Sequence, residues 1–349
     1  MKNSINLNKS EFINLLNISL GYYKPVTQFC TETDYKLILK EGKINDGQWS
    51  IPILLSFKKN FSKIEKKKIY LIYKNKIVGY IIAESFFKIN KKKFCKSVFK
   101  TNSMTHPSVK KIYGTKNFFI GGKTIFYKKE LPKDKYFIFN KKKKLNKDIV
   151  FSTRNLCHLG HQLIHEKILK KQKKLSVCII ESEKNKFDTD LLVKSYLSLK
   201  KNFKLYKNIN VVKILLPLLY AGPNEALLQA IIFRNIKFKG FVVGRDHAGF
   251  KNFYSKYSSQ NIFKKRNVTG IKIIKTKEPL MCRKCYVVSF EDKIICNCYK
   301  KKKMFFKING KDIKYNLIRN KFKIIKKFLN PVVFNFCVKN IDKIRNFNS

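Results

Sequence analysis

The chain has 349 residues, enough for two domains, and its 44% hydrophobic residues allow a sizeable core, which excludes wholesale disorder. Its formal net charge is +55, so a nucleic-acid partner has to be considered first, because lysine and arginine neutralise phosphates. The sequence shows no long apolar run typical of a membrane span and no secretion signal at its N-terminus, so we expect a cytoplasmic protein with reduced cysteines.

The basic residues are almost all lysine, which argues against a nucleic-acid site. Only seven of the 77 are arginine, and none of these lies in the first 150 residues. Nucleic-acid sites favour arginine for bidentate and stacked contacts. We interpret the lysine runs at 66–68, 91–93 and 141–144 as solvated faces and loops, and expect no specific nucleic-acid binding. RNA binding by the N-terminal half stays open as an alternative.

Residues 1–148 are predicted to form one β-rich domain. A helix is indicated near residues 9–18, followed by short β-branched and aromatic runs at 51–57, 69–73, 77–82 and 118–120. Turn residues, such as Asp46 with Gly47, separate these runs. The pattern is typical of a small barrel or a compact β-rich fold.

Beyond the lysine run at 141–144 the pattern changes to alternating strands and helices. Strands are predicted at 148–152, 175–180, 211–218 and 241–243, with helices at 162–169 and 225–232. This alternation predicts a parallel α/β sheet, in which ligands bind at the carboxyl ends of the strands. We divide the chain into residues 1–148, a catalytic domain at 149–300 and a small C-terminal subdomain at 301–349.

Two polar clusters follow predicted strands. The first, residues 152–161, holds His158 and His161 on one helical face together with Arg154, an arrangement suited to a polyphosphate at a helix N-terminus. The second, residues 244–249, has the order Gly-Arg-Asp-His-Ala-Gly, in which Arg245 can hold an oxyanion bidentately. A structural histidine pair and a structural Arg-Asp pair are the alternatives.

Four cysteines form a Cys-x2-Cys-x10-Cys-x-Cys pattern at Cys282, Cys285, Cys296 and Cys298. Thiolates at such spacing can close a tetrahedral Zn²⁺ site, and the alternative is four reduced cysteines in a loop. The remaining cysteines are scattered. We interpret them as core thiols, and Cys157 as a variable position and not a nucleophile.

The order of these motifs resembles the ATP sulfurylase (sulfate adenylyltransferase) family over nearly the whole chain. Residues 244–249 match the family's Gly-Arg-Asp-His-Ala-Gly motif, and residues 152–161 are similar to its Gln-Thr-Arg-Asn-Pro-x-His-x-x-His phosphate loop. Further similar segments lie at 25–53, 106–110, 121–122, 220–232 and 308–319.

The resemblance implies a PUA-like N-terminal domain, a Rossmann-like nucleotidyltransferase α/β domain and a homo-oligomer. The implied reaction is in-line attack of sulfate on the α-phosphorus of ATP, which yields adenosine 5′-phosphosulfate and pyrophosphate, with Mg²⁺ accompanying ATP. A cysteine knuckle of similar position occurs in some members, with a histidine where this chain has Cys298. The sequence has no P-loop motif, so we expect no fused kinase.

The resemblance also implies roles for individual residues. The implied catalytic residues are Thr153, Arg154, Asn155, His158 and His161. The implied ATP contacts are Ser152, Thr153, Arg154, Asn155, Gly244, Arg245, Asp246, His247 and Leu280. The implied sulfate contacts are Ser152, Arg154 and Ala248.

Some positions depart from the family pattern. Ser152 stands where the family has glutamine, Leu156 where it has proline, Leu159 and Asn224 where it has arginine, and Gln229 where it has histidine. Residues 181–184 replace a His-Pro-Leu-Val-Gly stretch. These departures leave a second hypothesis open, a homologue with weakened catalysis.

Overall fold

The computed structural model describes residues 3–45, 47–57, 68–140, 145–146, 148–171, 174–298 and 304–347. The chain forms two compact units. Unit 1 comprises Met1–Asp134, Leu215–Phe238 and Arg245–Ile273, and unit 2 comprises Lys135–Ile214, Lys239–Gly244 and Ile274–Ser349. The lysine run at 141–144, which suggested a domain boundary, and Asp46 of the predicted turn lie outside the described residues.

Unit 1 contains mainly short strands and helices. Its strands are β1 (Ser4–Asn6), β2 (Lys43–Ile44), β3 (Gly47–Gln48), β4 (Leu55–Phe57), β5 (Lys68–Tyr73), β6 (Lys76–Ile82), β7 (Ser85–Lys88), β8 (Phe118–Gly121) and β9 (Thr124–Phe126). Its helices are α1 (Lys9–Ser19), α2 (Glu32–Glu41), α3 (Lys91–Phe99), α4 (Pro107–Tyr113), α7 (Pro223–Asn235) and α8 (Ser258–Lys265). The strands form sheets in the orders β1-β5-β6-β9, β4-β8-β7 and β2-β3.

The predicted first helix is confirmed, and its start has a clear local cause. Asn8 and Glu11 form a capping box, in which each side chain accepts a hydrogen bond from the other residue's backbone N–H. Helices α2, α3 and α4 were not predicted from the sequence. Helix α2 has its own capping box, formed by Thr31 and Asp34, and this pattern in the sequence indicates the start of a helix.

Unit 2 is built on a parallel sheet, as predicted. Its strands are β10 (Ile149–Thr153), β11 (Leu175–Glu181), β12 (Asn210–Leu215), β13 (Gly240–Val243) and β14 (Lys272–Lys275), in the order β12-β11-β10-β13-β14. Strand β10 pairs in parallel with both β11 and β13. Helix α5 (Leu159–Lys171) follows β10, and α6 (Thr189–Asn202), which was not predicted, follows β11. Helix α6 begins where the Asp188 side chain accepts a hydrogen bond from the Leu191 N–H at 2.8 Å.

The last part of the chain completes unit 2. It contains an antiparallel sheet of β16 (Val288–Phe290), β15 (Pro279–Cys282) and β17 (Phe305–Phe306) and the helices α9 (Gly310–Ile318), α10 (Phe322–Ile325), α11 (Pro331–Lys339) and α12 (Ile341–Asn346). Side chains from these elements share one apolar core with the parallel sheet, for example Met281, Leu317 and Val333 with Val177. None of the helices in the described parts of the chain combines the length and apolarity needed to cross a bilayer.

Candidate functional site

Both polar clusters begin at the same edge of the parallel sheet. Ile149 pairs with Gly240 and Val150 with Phe241, so β10 and β13 run side by side in the same direction. Thr153 ends β10 and Gly244 directly follows β13. The carboxyl edge of such a sheet is where α/β folds bind ligands.

The loop after β10 is held by a short turn. The Thr153 hydroxyl accepts a hydrogen bond from the Asn155 N–H at 3.1 Å. The Asn155 side chain packs directly on Gly310, where any added Cβ would collide with it. Its Oδ1 is buried and has no hydrogen-bond partner among the described residues. The loop therefore presents an amide oxygen that nothing described in the protein satisfies.

His158 and His161 lie together at the start of α5, as their spacing predicted. Their ring centroids are 3.9 Å apart, and His158 Nδ1 accepts a hydrogen bond from the His161 backbone N–H at 3.3 Å. In its neutral form His158 therefore carries its proton on Nε2. Gly160 gives the pair room, because a Cβ there would lie 3.1 Å from the His158 ring.

Both histidines are neutral at pH 7. Burial lowers the pKa of His158 well below its ordinary value and the pKa of His161 to about 4, and the charge of Lys307 acts in the same direction on both. Neutral imidazoles donate one hydrogen bond each without adding charge. The positive charge of this region has to come from other residues.

Four cations supply that charge in unit 2, and the sequence analysis identified only Arg154 in this role. The Lys186 side chain is exposed, but the surrounding protein partly desolvates it and so lowers its pKa, and the charges of Arg154, Lys311 and Lys307 lower that pKa further. Lys307 also pairs with Glu278 at 3.5 Å. Lys186 lies two residues after the altered segment at 181–184. Lys311 directly follows Gly310, on which the Asn155 side chain packs. The concentration of positive charge favours an anion.

Residues 245–249 are assigned to unit 1, where they form a tight turn. Arg245 and Asp246 approach to 3.8 Å. Ala248 has a positive φ of 56°, and its carbonyl accepts a hydrogen bond from the Gly222 N–H at 3.1 Å. The His247 carbonyl accepts from the Ser259 hydroxyl at 2.8 Å. Helices α7 and α8 therefore fix the backbone of this loop.

Helix α7 also explains the departures at Asn224 and Gln229. Asn224 is buried, and its Nδ2 donates to the carbonyls of Val98 at 2.8 Å and Ser97 at 3.2 Å. Gln229 contacts His247 through Oε1···Nε2 at 2.9 Å. Asn224 thus has a packing role within unit 1.

The similar segment at 106–110 supports the same region of unit 1. His106 caps α4 and is fully buried. Its Nε2 lies 3.1 Å from the Tyr220 carbonyl, which also accepts a hydrogen bond from the Tyr254 hydroxyl at 2.8 Å. Tyr254 in turn packs against Gly222. His106 therefore helps to fix the chain that enters α7.

Leu280 lies on β15, where it pairs with Ser289 of β16 and is half-buried. Its neighbour Pro279 is close to Gly160, because a Cβ at that glycine would lie 3.3 Å from the Pro279 Cβ. Strand β15 therefore lies against the start of α5, in the same unit as the histidine pair.

The four clustered cysteines meet in space. The sulfurs of Cys282, Cys285, Cys296 and Cys298 all lie within 4.8 Å of one another. Zn–S bonds of about 2.3 Å in a tetrahedron place sulfurs about 3.8 Å apart, so this set fits zinc after a small contraction. All four ligand positions are thiols, and such a site leaves no open coordination position.

The remaining cysteines are inert core thiols. Cys30, Cys95, Cys157, Cys178 and Cys337 are all buried. Burial raises the pKa of Cys157 to about 12, and its sulfur lies 3.3 Å from the Tyr206 hydroxyl. Its position in the loop is therefore one of packing and not of nucleophilic chemistry.

Comparison with known proteins identifies the family. Residues 132–340 match the family profile described as ATP-sulfurylase, and residues 1–129 match that of a PUA-like domain. The chain is 31% identical over 283 residues to a sulfate adenylyltransferase of Ignicoccus hospitalis, covering 77% of this chain and 74% of the relative. It is 28% identical over 352 residues to that of Pyrococcus abyssi, covering 94% and 91%.

A solved structure supports the fold. It is titled hexameric APS kinase from Thiobacillus denitrificans, and it aligns with a TM-score of 0.68 at 13% identity, covering 97% of this chain and 62% of that chain. At this identity the likeness concerns the fold alone. With the profile match and the curated relatives, the conclusion is direct: the chain belongs to the ATP-sulfurylase family.

Proposed function

We propose that the protein is a sulfate adenylyltransferase, which joins sulfate to the α-phosphate of ATP and releases pyrophosphate. The observation that carries the proposal is the loop after β10, which holds Arg154, the close His158–His161 pair and the unsatisfied Asn155 amide oxygen at the carboxyl edge of a parallel sheet. Membership of the family indicates that the substrates are ATP and sulfate, and the loop carries charged and hydrogen-bonding groups suited to both anions.

The reaction requires positioning more than acid–base catalysis. A sulfate oxygen forms a bond to the α-phosphorus while the bond from that phosphorus to the bridging oxygen of pyrophosphate breaks. Sulfate is fully ionised at neutral pH, so no base is needed. Ser152 and Arg154 are assigned to sulfate, with a contribution from Ala248.

The leaving pyrophosphate gathers negative charge in the transition state. We assign His158 and His161 to it as groups that hold the phosphates and stabilise this charge; before ATP binds, burial lowers the pKa of both rings and favours their neutral form. Thr153 and Asn155 shape the loop, and Gly244, Arg245, Asp246, His247 and Leu280 are assigned to ATP. Mg²⁺ enters with ATP, held largely by its phosphates.

We further propose that the four-cysteine cluster holds a structural Zn²⁺. The cluster joins the end of β15 to the segment before residue 299, and a closed four-thiolate site tethers such a segment without taking part in catalysis. A homo-oligomer, a cytoplasmic location and the domain limits 1–148, 149–300 and 301–349 also belong to the proposal.

The test is pyrophosphate release by the purified protein given MgATP with and without sulfate. We expect sulfate-dependent release that falls by at least ~100-fold in Arg154→Ala, the scale of losing a charged contact in the transition state. Arg345→Ala is the matched control, because Arg345 lies on α12 and contacts Asp342 and Asn320, neither of which is assigned to a substrate. No release from folded wild-type protein would overturn the proposal in favour of the weakened homologue.

A further inference from the structure

A buried chain of hydrogen bonds runs along helix α7 to His247. The Glu225 carboxylate accepts from the Ala221 N–H at 3.1 Å, and its other oxygen accepts from Gln229 Nε2 at 3.2 Å. Gln229 Oε1 then lies 2.9 Å from His247 Nε2. Glu225 and Gln229 are each only 4% exposed. All of these residues belong to unit 1.

The direction of each hydrogen bond follows from which atoms carry protons. An ionised carboxylate can only accept, so Glu225 draws the amide nitrogen of Gln229 toward itself. The amide oxygen is left facing His247, and an oxygen of this kind also only accepts. His247 must therefore carry a hydrogen on Nε2 to make the third contact.

The backbone of the same loop is fixed independently. The Ser259 hydroxyl of α8 donates to the His247 carbonyl at 2.8 Å, and the Gly222 N–H, at the start of α7, donates to the Ala248 carbonyl at 3.1 Å. With the main chain held at both residues, the contact with Gln229 acts on the orientation of the His247 imidazole itself.

We infer that Glu225 and Gln229 are positioning residues, which orient His247 and hold its neutral ring with the hydrogen on Nε2. The inference rests on the proposed function only where it concerns ATP. In that form Nδ1 can only accept a hydrogen bond. Any ligand group that Nδ1 contacts is then a donor, such as an amino or hydroxyl group of the nucleoside, and not a phosphate or sulfate oxygen.

An alternative placement of the hydrogens would also satisfy these side-chain contacts, and this makes the inference testable. If Glu225 were protonated, it would donate to the Gln229 oxygen, and the amide nitrogen would donate to a bare His247 Nε2. The ring hydrogen would then sit on Nδ1. The second arrangement exchanges the oxygen and nitrogen of the Gln229 amide at the same positions, so the two differ in the hydrogens of Glu225, Gln229 and His247 and not in their distances.

The experiment is nitrogen NMR of the full-length protein labelled with ¹⁵N in histidine, at a pH where the rings are neutral. The chain has five histidines, and the signals of His247 are identified by their loss in His247→Asn. His106 is an internal reference for the expected form, because its Nε2 faces a carbonyl at 3.1 Å and its Nδ1 accepts from the Val109 N–H at 3.4 Å. We expect the same pattern for His247, and a hydrogen on Nδ1 would overturn the inference.

The coupling to Gln229 is tested with Gln229→Met, which keeps the volume but removes the acceptor. We expect the two His247 nitrogen signals to move toward each other as the ring exchanges between its two forms, while those of His106 stay in place. Gln28→Met is the matched control, since the Gln28 amide also donates to a carboxylate, that of Asp34 at 3.4 Å. Unchanged His247 signals in folded Gln229→Met would refute the role of Gln229.

A kinetic measurement separates this inference from the proposed function. In an active enzyme we expect Gln229→Met to raise KM for ATP by about 3- to 10-fold, the scale of one neutral hydrogen bond, with a smaller change in kcat. An unchanged KM would refute the role in ATP binding. The NMR measurement does not require turnover, so it tests which nitrogen of His247 carries the hydrogen even if the protein releases no pyrophosphate.

Discussion

Replacing Gly310 with alanine tests the proposed catalytic role of the loop after β10 through a residue that touches no substrate in our assignment. Gly310 is the first residue of α9, and Asn309 before it caps the helix. An added Cβ would overlap Asn155 Oδ1, its nearest neighbour, and would lie 2.6 Å from Asn155 Cγ and 3.3 Å from Asn155 Cβ. Ordinary van der Waals contact begins at 3.4 Å, so Asn155 Cγ must move by roughly 0.8 Å.

A shift of this size is large for a catalytic loop. Misplacement by about 1 Å can reduce a rate by about 100-fold, which corresponds to about 2.7 kcal/mol of transition-state stabilisation. The helix itself gains from the exchange, since alanine is favoured over glycine by up to about 1 kcal/mol within a helix. We therefore expect Gly310→Ala to lose activity without a matching loss of stability.

The assay is sulfate-dependent pyrophosphate release at several concentrations of ATP and sulfate, together with thermal unfolding. Gly114→Ala is the matched control, because Gly114 also lies at a helix end and its added Cβ would meet nothing closer than 3.5 Å. If Gly310→Ala keeps wild-type kcat/KM, the argument that Gly310 sets the position of Asn155 is wrong.

Three further predictions concern the metal content, the stability of the fold at acid pH and the binding of the anionic substrates. Elemental analysis should find about one zinc per chain, which Cys298→Ser should reduce and Cys30→Ser, a buried thiol outside the cluster, should leave unchanged. The pKa of His161 in the folded protein is lowered to about 4. The neutral ring therefore contributes fully to the free energy of unfolding above the pKa of about 6.5 that His161 has in the unfolded chain, and this contribution is lost as pH falls toward 4. Urea unfolding should show this loss between pH 6.5 and 5, by about 1.4 kcal/mol per pH unit for each such histidine, and a slope no smaller in His161→Gln would contradict it. Lys186→Ala should raise KM for the anionic substrates by about tenfold, whereas Lys184→Ala should not, because both lysines are exposed but it is Lys186 on which the charges of Arg154 and Lys307 act; equal effects would point to general screening by the lysine-rich surface.

The sequence alone determined the features that depend on neighbours along the chain. The loop at 152–161 and the turn at 244–249 were located because their residues are contiguous and directly follow β-branched runs. Strands β10 and β13 formed where these runs predicted, since buried parallel strands are apolar along their whole length. The cysteine cluster followed from spacing, because ligands two to eleven residues apart can meet within one short segment.

Other features depended on residues far apart in sequence, so only the tertiary structure could decide them. Lys186 acquires its role from the charges of Arg154 and Lys307, which packing brings near it. Gln229 is a departure from the family in sequence, but in the structure it is the partner of His247. In the sequence, Asn224 stands where the family has arginine. In the structure, its side chain donates hydrogen bonds to backbone carbonyls at the end of α3. The physical reason is common to all three: hydrogen bonds and charge interactions act over a few ångströms in space, and folding, not sequence order, sets those distances.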